Sequence, residues 1–272
     1  RYSFPYREFD FIAKQGNIGH RCRQLSFGTA RRAGFTLYPE SFYPGYRFNV
    51  SDIKYYRPRH VFSELFYVMG SDNEQLFYAR HNQRFHERVY GGFKYQTINS
   101  PGAYSRLNAR NASFLMYVDA EPVDNYNIAG SLVINRVFNA ESGGLTNHLG
   151  FEEDAVRDSV FLYNADARIR ELSFKIQHSY GSGTAGGSDT INASGTINPG
   201  RLRHVFTYQR SGQVFDESAA PSSVYYSAHQ NLDDLSTFDS LLVHQISNKL
   251  EWANIASRDD YSAPLTFNLY AS

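Results

Sequence analysis

The chain contains a single cysteine, Cys22, so no disulfide can close within it. Cys22 follows GNIGHR, which lacks the apolar-then-small pattern that precedes a lipidated cysteine, and it reads as a buried or incidental thiol. No apolar run approaches the ~18–20 residues needed to cross a bilayer as a helix, which excludes a helical membrane protein. A membrane β-barrel stays open, because barrel strands alternate and half of each strand can be polar. Residues 1–10, RYSFPYREFD, have neither a basic n-region nor an apolar h-region; either a signal was removed or the sequence begins partway into a longer chain. There is no nucleophile elbow, no phosphate-cradling glycine loop and no zinc signature, so a non-enzyme with no cofactor is expected.

What the chain does have is aromatic side chains: 21 Tyr and 21 Phe among 272 residues, against 2 Met and 1 Trp. Tyr and Phe favour strands, and they also form the girdles of membrane barrels. The length suits one large β domain or two small ones. Net charge is zero but unevenly placed, with 11 Lys+Arg against 4 Asp+Glu in residues 1–60 and 16 against 23 in the remainder. Such a basic stretch can line a lumen, dock on an acidic neighbour or stand solvated as an irregular arm. Gly16, Gly19, Gly28, Gly34 and Gly45, with Pro39 and Pro44, break residues 1–60 into short extended pieces, and no helix longer than two turns is expected there.

Residues 61–118 read as three strands (61–70, 74–84 and 88–98) joined by tight turns, then a loop and a fourth strand. In the third, Val89, Phe93 and Tyr95 point one way while Lys94 and Gln96 point the other. Residues 114–118 are apolar at every position, so each face must meet lipid or a packed interior. Further on, Tyr126, Ile128, Leu132 and Ile134 oppose Asn127, Ser131 and Asn135. Leu172, Phe174, Ile176 and Tyr180 oppose Ser173, Lys175, Gln177 and Ser179. Leu202, Phe206 and Tyr208 oppose Arg203, Thr207 and Gln209. Leu242, Ile246, Leu250 and Trp252 oppose Gln245, Ser247, Lys249 and Glu251, and Leu265, Phe267 and Leu269 oppose Thr266 and Asn268.

This patterning predicts an all-β chain with an extended, basic and aromatic N-terminal region over 1–60 and strands over 61–272. Long loops are expected near 99–111, 138–167 and 211–239, and a Gly/Ser-rich linker over 181–200. Two architectures fit. A soluble sandwich buries its apolar faces and puts Lys, Gln and Ser in water. An antiparallel transmembrane β-barrel, or a portion of one, does the reverse, with short turns at one end and long loops at the other. Strand length, aromatic load and loop pattern favour the barrel.

Several segments also match a known family. ELFYVMGSDNEQLFYARHNQRF (64–85), YGGFKYQTINSPGAYSRLNARNASF (90–114) and NAESGGL (139–145) resemble the putative porin family of Bacteroidota. That family shows a Tyr-Tyr-Arg segment, a Leu-Phe-Tyr strand ending in Gly, a Glu-Gln-Leu-Phe strand start with a His near its end, an Asn-Ser-x-Gly-x-Tyr loop and a Glu-Asn-Gly-Gly turn. Tyr55-Tyr56-Arg57 and residues 64–70, 74–81, 99–104 and 141–145 stand in those places, with Ser142 where Asn is usual. Gly16-Asn17-Ile18-Gly19 resembles the family's Gly-Asn-Leu-Gly. The match is dense over 55–145 and weaker over 201–252. The resemblance implies an antiparallel β-barrel in the bacterial outer membrane, in contact with the lipid bilayer and lipopolysaccharide, with other outer-membrane proteins or lipoproteins as candidate partners and no nucleic acid. Members of the family are longer than this chain, which is consistent with a part of a larger barrel.

On that reading Lys94, Gln96, Asn127, Ser131, Asn135, Lys175, Gln177 and Lys249 are the candidate lumen-facing residues. Val89, Phe93, Tyr95, Leu172, Phe174, Ile176, Phe206, Tyr208 and Trp252 are the candidate lipid-facing ones. Glu152-Glu153-Asp154 with Asp158 lacks the glycine and spacing of a calcium loop and is taken as a solvated acidic loop. His81, His86, His178, His204 and His244 are taken as packed or interfacial histidines rather than metal ligands, and no metal is expected. Three functions compete: a passive channel biased toward anions by the lumen lysines, a closed structural barrel within a larger export or insertion complex, and a soluble glycan-binding β-protein.

Overall fold

The computed structural model describes residues 12–14, 17–25, 46–102, 105–146, 160–181, 201–218, 236–253 and 265–270. A small hairpin pairs β1 (Ile12–Lys14) with β2 (Cys22–Gln24). Nine further strands form one antiparallel sheet in simple meander order: β3 (Phe62–Met69), β4 (Gln75–His86), β5 (Val89–Ser100), β6 (Ala109–Val123), β7 (Tyr126–Glu141), β8 (Ala165–Gly181), β9 (Arg201–Glu217), β10 (Thr237–Ala253) and β11 (Leu265–Tyr270). The sheet is open, with β3 at one edge and β11 at the other. Among the described residues, no helix is long and apolar enough to cross a membrane.

Turn chemistry sets the hairpins. Between β3 and β4, Asp72 and Asn73 both adopt positive φ, at 54° and 60°. Asp and Asn tolerate that region best after glycine, and two such residues in succession give the turn whose twist matches paired strands. In the tight β6–β7 turn a single residue, Asn125 at φ 64°, takes that region. Each hairpin fixes the register of the next strand, so alternation is carried coherently across the sheet.

The strands run further than alternation indicated. The loop expected at 99–111 shrinks to 101–108; the one at 138–167 begins after Glu141 and ends before Ala165; the one at 211–239 begins after Glu217 and ends before Thr237. The backbone ladder continues there, with Asn139 opposite Ala167 and Phe215 opposite Asp239, although the side chains no longer alternate in polarity. Alternation reports only the part of a strand whose two faces meet different surroundings, so extensions beyond it look like loop in the sequence. The expected division into a short-turn end and a long-loop end also holds only in part. The tight turns after β4 and β6 share an end with the connections 182–200 and 254–264, because the strands alternate in direction. Doubling a flexible connection costs only about 0.6 kcal/mol, so topology tolerates a long link where a turn would serve.

The two faces of the sheet differ in an unusual way. One, here called the inner face, is covered by residues from the N-terminal region and is largely polar: Asn82, Gln96, Ser113, Asp119, Ser131, Asn135, Asn139, Ser173 and Ser179 are all buried on it. The outer face is apolar yet exposed, with Leu65, Tyr67 and Met69 on β3 exposed to 75%, 56% and 64%. A soluble sandwich has the opposite arrangement. On β8 the outer row Leu172, Phe174, Ile176, His178 and Tyr180 gives way to Arg170 and Arg168. From Leu172 to Tyr180 it covers about 20 Å along a barrel axis, taking ~3.3 Å per residue and a ~40° tilt, against a barrel apolar band of roughly 25 Å.

Apolar side chains on the inner face collect under the N-terminal residues in two clusters. Cys22 and Tyr46 pack with Leu76, Tyr78, Ile98, Val137 and Ile169, and Val50 packs with Leu115, Tyr117 and Val133. Cys22 is thus a core residue. Gly92 on β5 leaves no room for a side chain: a Cβ there would stand 2.5 Å from the His81 carbonyl oxygen and collide with the Asn82 amide. That amide oxygen accepts the Tyr117 hydroxyl at 2.7 Å, so the collision would propagate into the inner face. Gly92→Ala is expected to cost about 1–3 kcal/mol through overpacking, read as a lowered denaturant midpoint in detergent.

Candidate pore-lining face

Every candidate lumen residue falls on the inner face. Lys94 and Gln96 stand opposite Leu115 and Ser113; Ser131 lies between Tyr117 and Lys175; Asn135 is opposite Glu171; Gln177 is flanked by Ala129 and Val205, with Lys249 on the far side of Val205. The candidate lipid residues Val89, Phe93, Tyr95, Leu172, Phe174, Ile176, Phe206, Tyr208 and Trp252 all fall on the other face by the same registers. On that face Phe93 stacks near Phe114, with centroids 6.5 Å apart.

Much of the inner face is engaged by the chain's own N-terminal region. Near the end of the sheet marked by Ser100 and Ala140, Asn17 donates its amide to the Leu107 carbonyl at 2.6 Å, and Asn111 donates to the Gly19 carbonyl at 2.7 Å. Residues 46–57 then run along the sheet. Ser113 donates to the Tyr46 carbonyl at 3.0 Å. Asn135 accepts the Phe48 N–H at 3.0 Å and donates to the Phe48 carbonyl at 2.8 Å, closing a pair of hydrogen bonds as a neighbouring strand would. Further along, Tyr55 donates to Ser131 at 3.3 Å and the Tyr56 N–H donates to the Tyr117 hydroxyl at 3.1 Å.

Charge follows a fixed sense: the N-terminal side contributes arginine and the sheet contributes carboxylate. Arg21 meets Glu141 at 2.9 Å, Arg47 meets Glu171 at 2.6 Å, and Arg57 meets Asp119 at 2.6 Å and Glu121 at 3.3 Å. The Arg57–Asp119 contact is two-pronged, through Nε and Nη2, and Asn127 donates to the same carboxylate at 2.6 Å. Lys175, buried, holds its ammonium 5.6 Å from the Tyr55 ring centroid.

Beyond this covered region, β9 and β10 carry half-exposed inner cations. Arg203 donates to Gln177 at 2.8 Å and lies 3.5 Å from Glu251, and Lys249 pairs with that same carboxylate. Arg201 donates to Ser179 at 2.8 Å. Sequence reasoning put Arg203 on the polar face of its strand without counting it as a candidate lumen residue, and it missed Arg201 and the acceptors Asp119, Glu141 and Glu171. Their signal was the basic excess of residues 1–60 set against an acidic remainder, which marked docking on an acidic neighbour as one of three options.

The histidines lie mainly on the outer face. His178 Nε2 and His204 Nδ1 are 3.0 Å apart in one hydrogen bond, and Tyr208 bonds His244 Nδ1 at 2.9 Å. Among the described residues no group of three His, Cys, Asp or Glu side chains converges as a metal site. The acidic run Glu152-Glu153-Asp154 with Asp158 and the linker 182–200 lie outside the described residues.

A family model described as "Putative porin" matches residues 3–271. No curated protein and no solved structure shows a significant match to the chain.

Proposed function

The chain belongs to the putative porin family, and we propose that within that outer-membrane, porin-like role it forms the wall of a passive diffusion channel for small solutes. One observation carries this reading: the apolar face of the sheet is the exposed one and the polar face the covered one. In water the exposed rows of Leu, Phe, Tyr and Ile would form an apolar patch far larger than soluble monomers tolerate, which speaks against the soluble glycan-binding alternative. In a bilayer those rows meet acyl chains, and the polar face borders an aqueous lumen.

Among the described residues, the inner face of β9 and β10 near Ser179 holds Arg201, Arg203 and Lys249 against Glu251, with Glu217 and Asp239 toward the other end of the same strands. A positive excess at a constricted aqueous path favours anions. Purified full-length protein in a planar bilayer is expected to show steady conductance with anions more permeant than cations. The pair of substitutions Arg203→Glu and Lys249→Glu is expected to lower that permeability ratio several-fold, read from the reversal potential across a salt gradient.

A second reading keeps the barrel and removes the flow: a non-conducting subunit of a larger export or insertion complex. The N-terminal segment lying along the inner face favours it. A silent barrel that co-purifies with other membrane proteins would decide for this alternative.

A further inference from the structure

We infer that residues 46–57 act as a charge-latched strap inside the barrel, narrowing the lumen and setting the size of solute that passes; this rests on the diffusion reading above. The strap runs nearly parallel to the strands, from the level of Ser113 to that of Asp119 on β6. It therefore follows the tilt of the wall strands, and it takes up cross-section over its whole length.

Three features make it a latch and not another strand. Its backbone joins no ladder of the nine-stranded sheet, so its departure leaves every strand pairing intact. It is held by side chains at separated points: the two-way Asn135–Phe48 bond, and the Arg47–Glu171 and Arg57–Asp119 ion pairs. All of the ion pairs have one polarity, arginine on the strap and carboxylate on the wall, so reversing the strap charges turns attraction into repulsion at both ends at once. The strap also neutralises wall charge, since Glu171, Asp119 and Glu121 each meet one of its arginines.

The test is the full-length protein carrying Arg47→Glu together with Arg57→Asp. Folding is checked by the heat-dependent shift in electrophoretic mobility that closed barrels show. Unit conductance is expected to rise at least two-fold in planar bilayers, and liposome-swelling assays are expected to admit larger neutral sugars. A second variant, Arg57→Asp with Asp119→Arg, restores one ion pair in swapped order and is expected to return conductance toward the native value. Native conductance in the folded reversal variant overturns the strap while leaving the diffusion reading standing. Folded protein that stays silent in both native and reversed forms overturns the diffusion reading and the strap with it.

Discussion

Arginine in place of Phe174 is expected to destabilise the folded protein in a bilayer by about 2–4 kcal/mol, the cost of a cation on the lipid side of a barrel near mid-depth. Phe174 sits on the outer face of β8, opposite Leu132 on one neighbouring strand and Tyr208 on the other. The adjoining outer positions on its own strand are Leu172 and Ile176, so no carboxylate adjoins it on β8 to receive the charge. The matched control is Gln209→Arg. Gln209 is on the inner face of β9 between Ser173 and Gln245, half-buried among polar side chains, and a guanidinium there stays hydrated. Reversible urea unfolding from phospholipid vesicles gives both numbers. Equal losses would mean that the outer face meets no hydrocarbon. In water the ordering would weaken or invert, because an exposed phenylalanine gains little from its surroundings there.

Tyr46→Ala is expected to remove on the order of 3–5 kcal/mol, as for other large aromatic truncations in packed sites, but from the docking of the N-terminal region and not from the sheet. Tyr46 is 1% exposed and sits among Leu76, Tyr78, Ile98, Val137 and Ile169, which come from four different strands. The strand ladders do not depend on it, since they pass from strand to strand through backbone groups. The predicted signature is therefore local. Hydrogen exchange should quicken across residues 46–57 while the amides of β6, β7 and β8 stay protected, and limited proteolysis should cut the N-terminal region first. Loss of protection throughout the sheet would show that the strap and wall fold as one cooperative unit.

Which side chains share a face was legible in the sequence wherever the surroundings of the two faces differ. Strands β7 and β8 alternate because the outward row is mainly apolar and the buried row carries Ser131, Asn135, Asn139, Ser173 and Ser179. Alternation does not say what covers a face, and there the sequence was silent. Asn135, Ser131 and Lys175 read as lining a wet lumen, whereas they contact Phe48 and Tyr55 of the same chain. The strap itself has no period, because a segment held by side chains at separated points needs no regular pattern. Its ion pairs join residues as far apart as Arg47 and Glu171, 124 positions in sequence, and no local motif encodes such a pairing. Only the lopsided charge of residues 1–60 hinted at it. Residues 114–118 show the same limit in miniature. All five are apolar, yet Leu115 and Tyr117 are sealed beneath Val50 and its neighbours while Met116 and Val118 face outward.

The meander order of the sheet has a consequence in parity. Nine strands that alternate in direction leave β3 and β11 pointing the same way. A cylinder closed by joining these two edges would have a single parallel seam, with slanted hydrogen bonds in one joint and perpendicular ones in all the others. A cylinder antiparallel throughout requires an even total, and so an odd number of strands between β11 and β3.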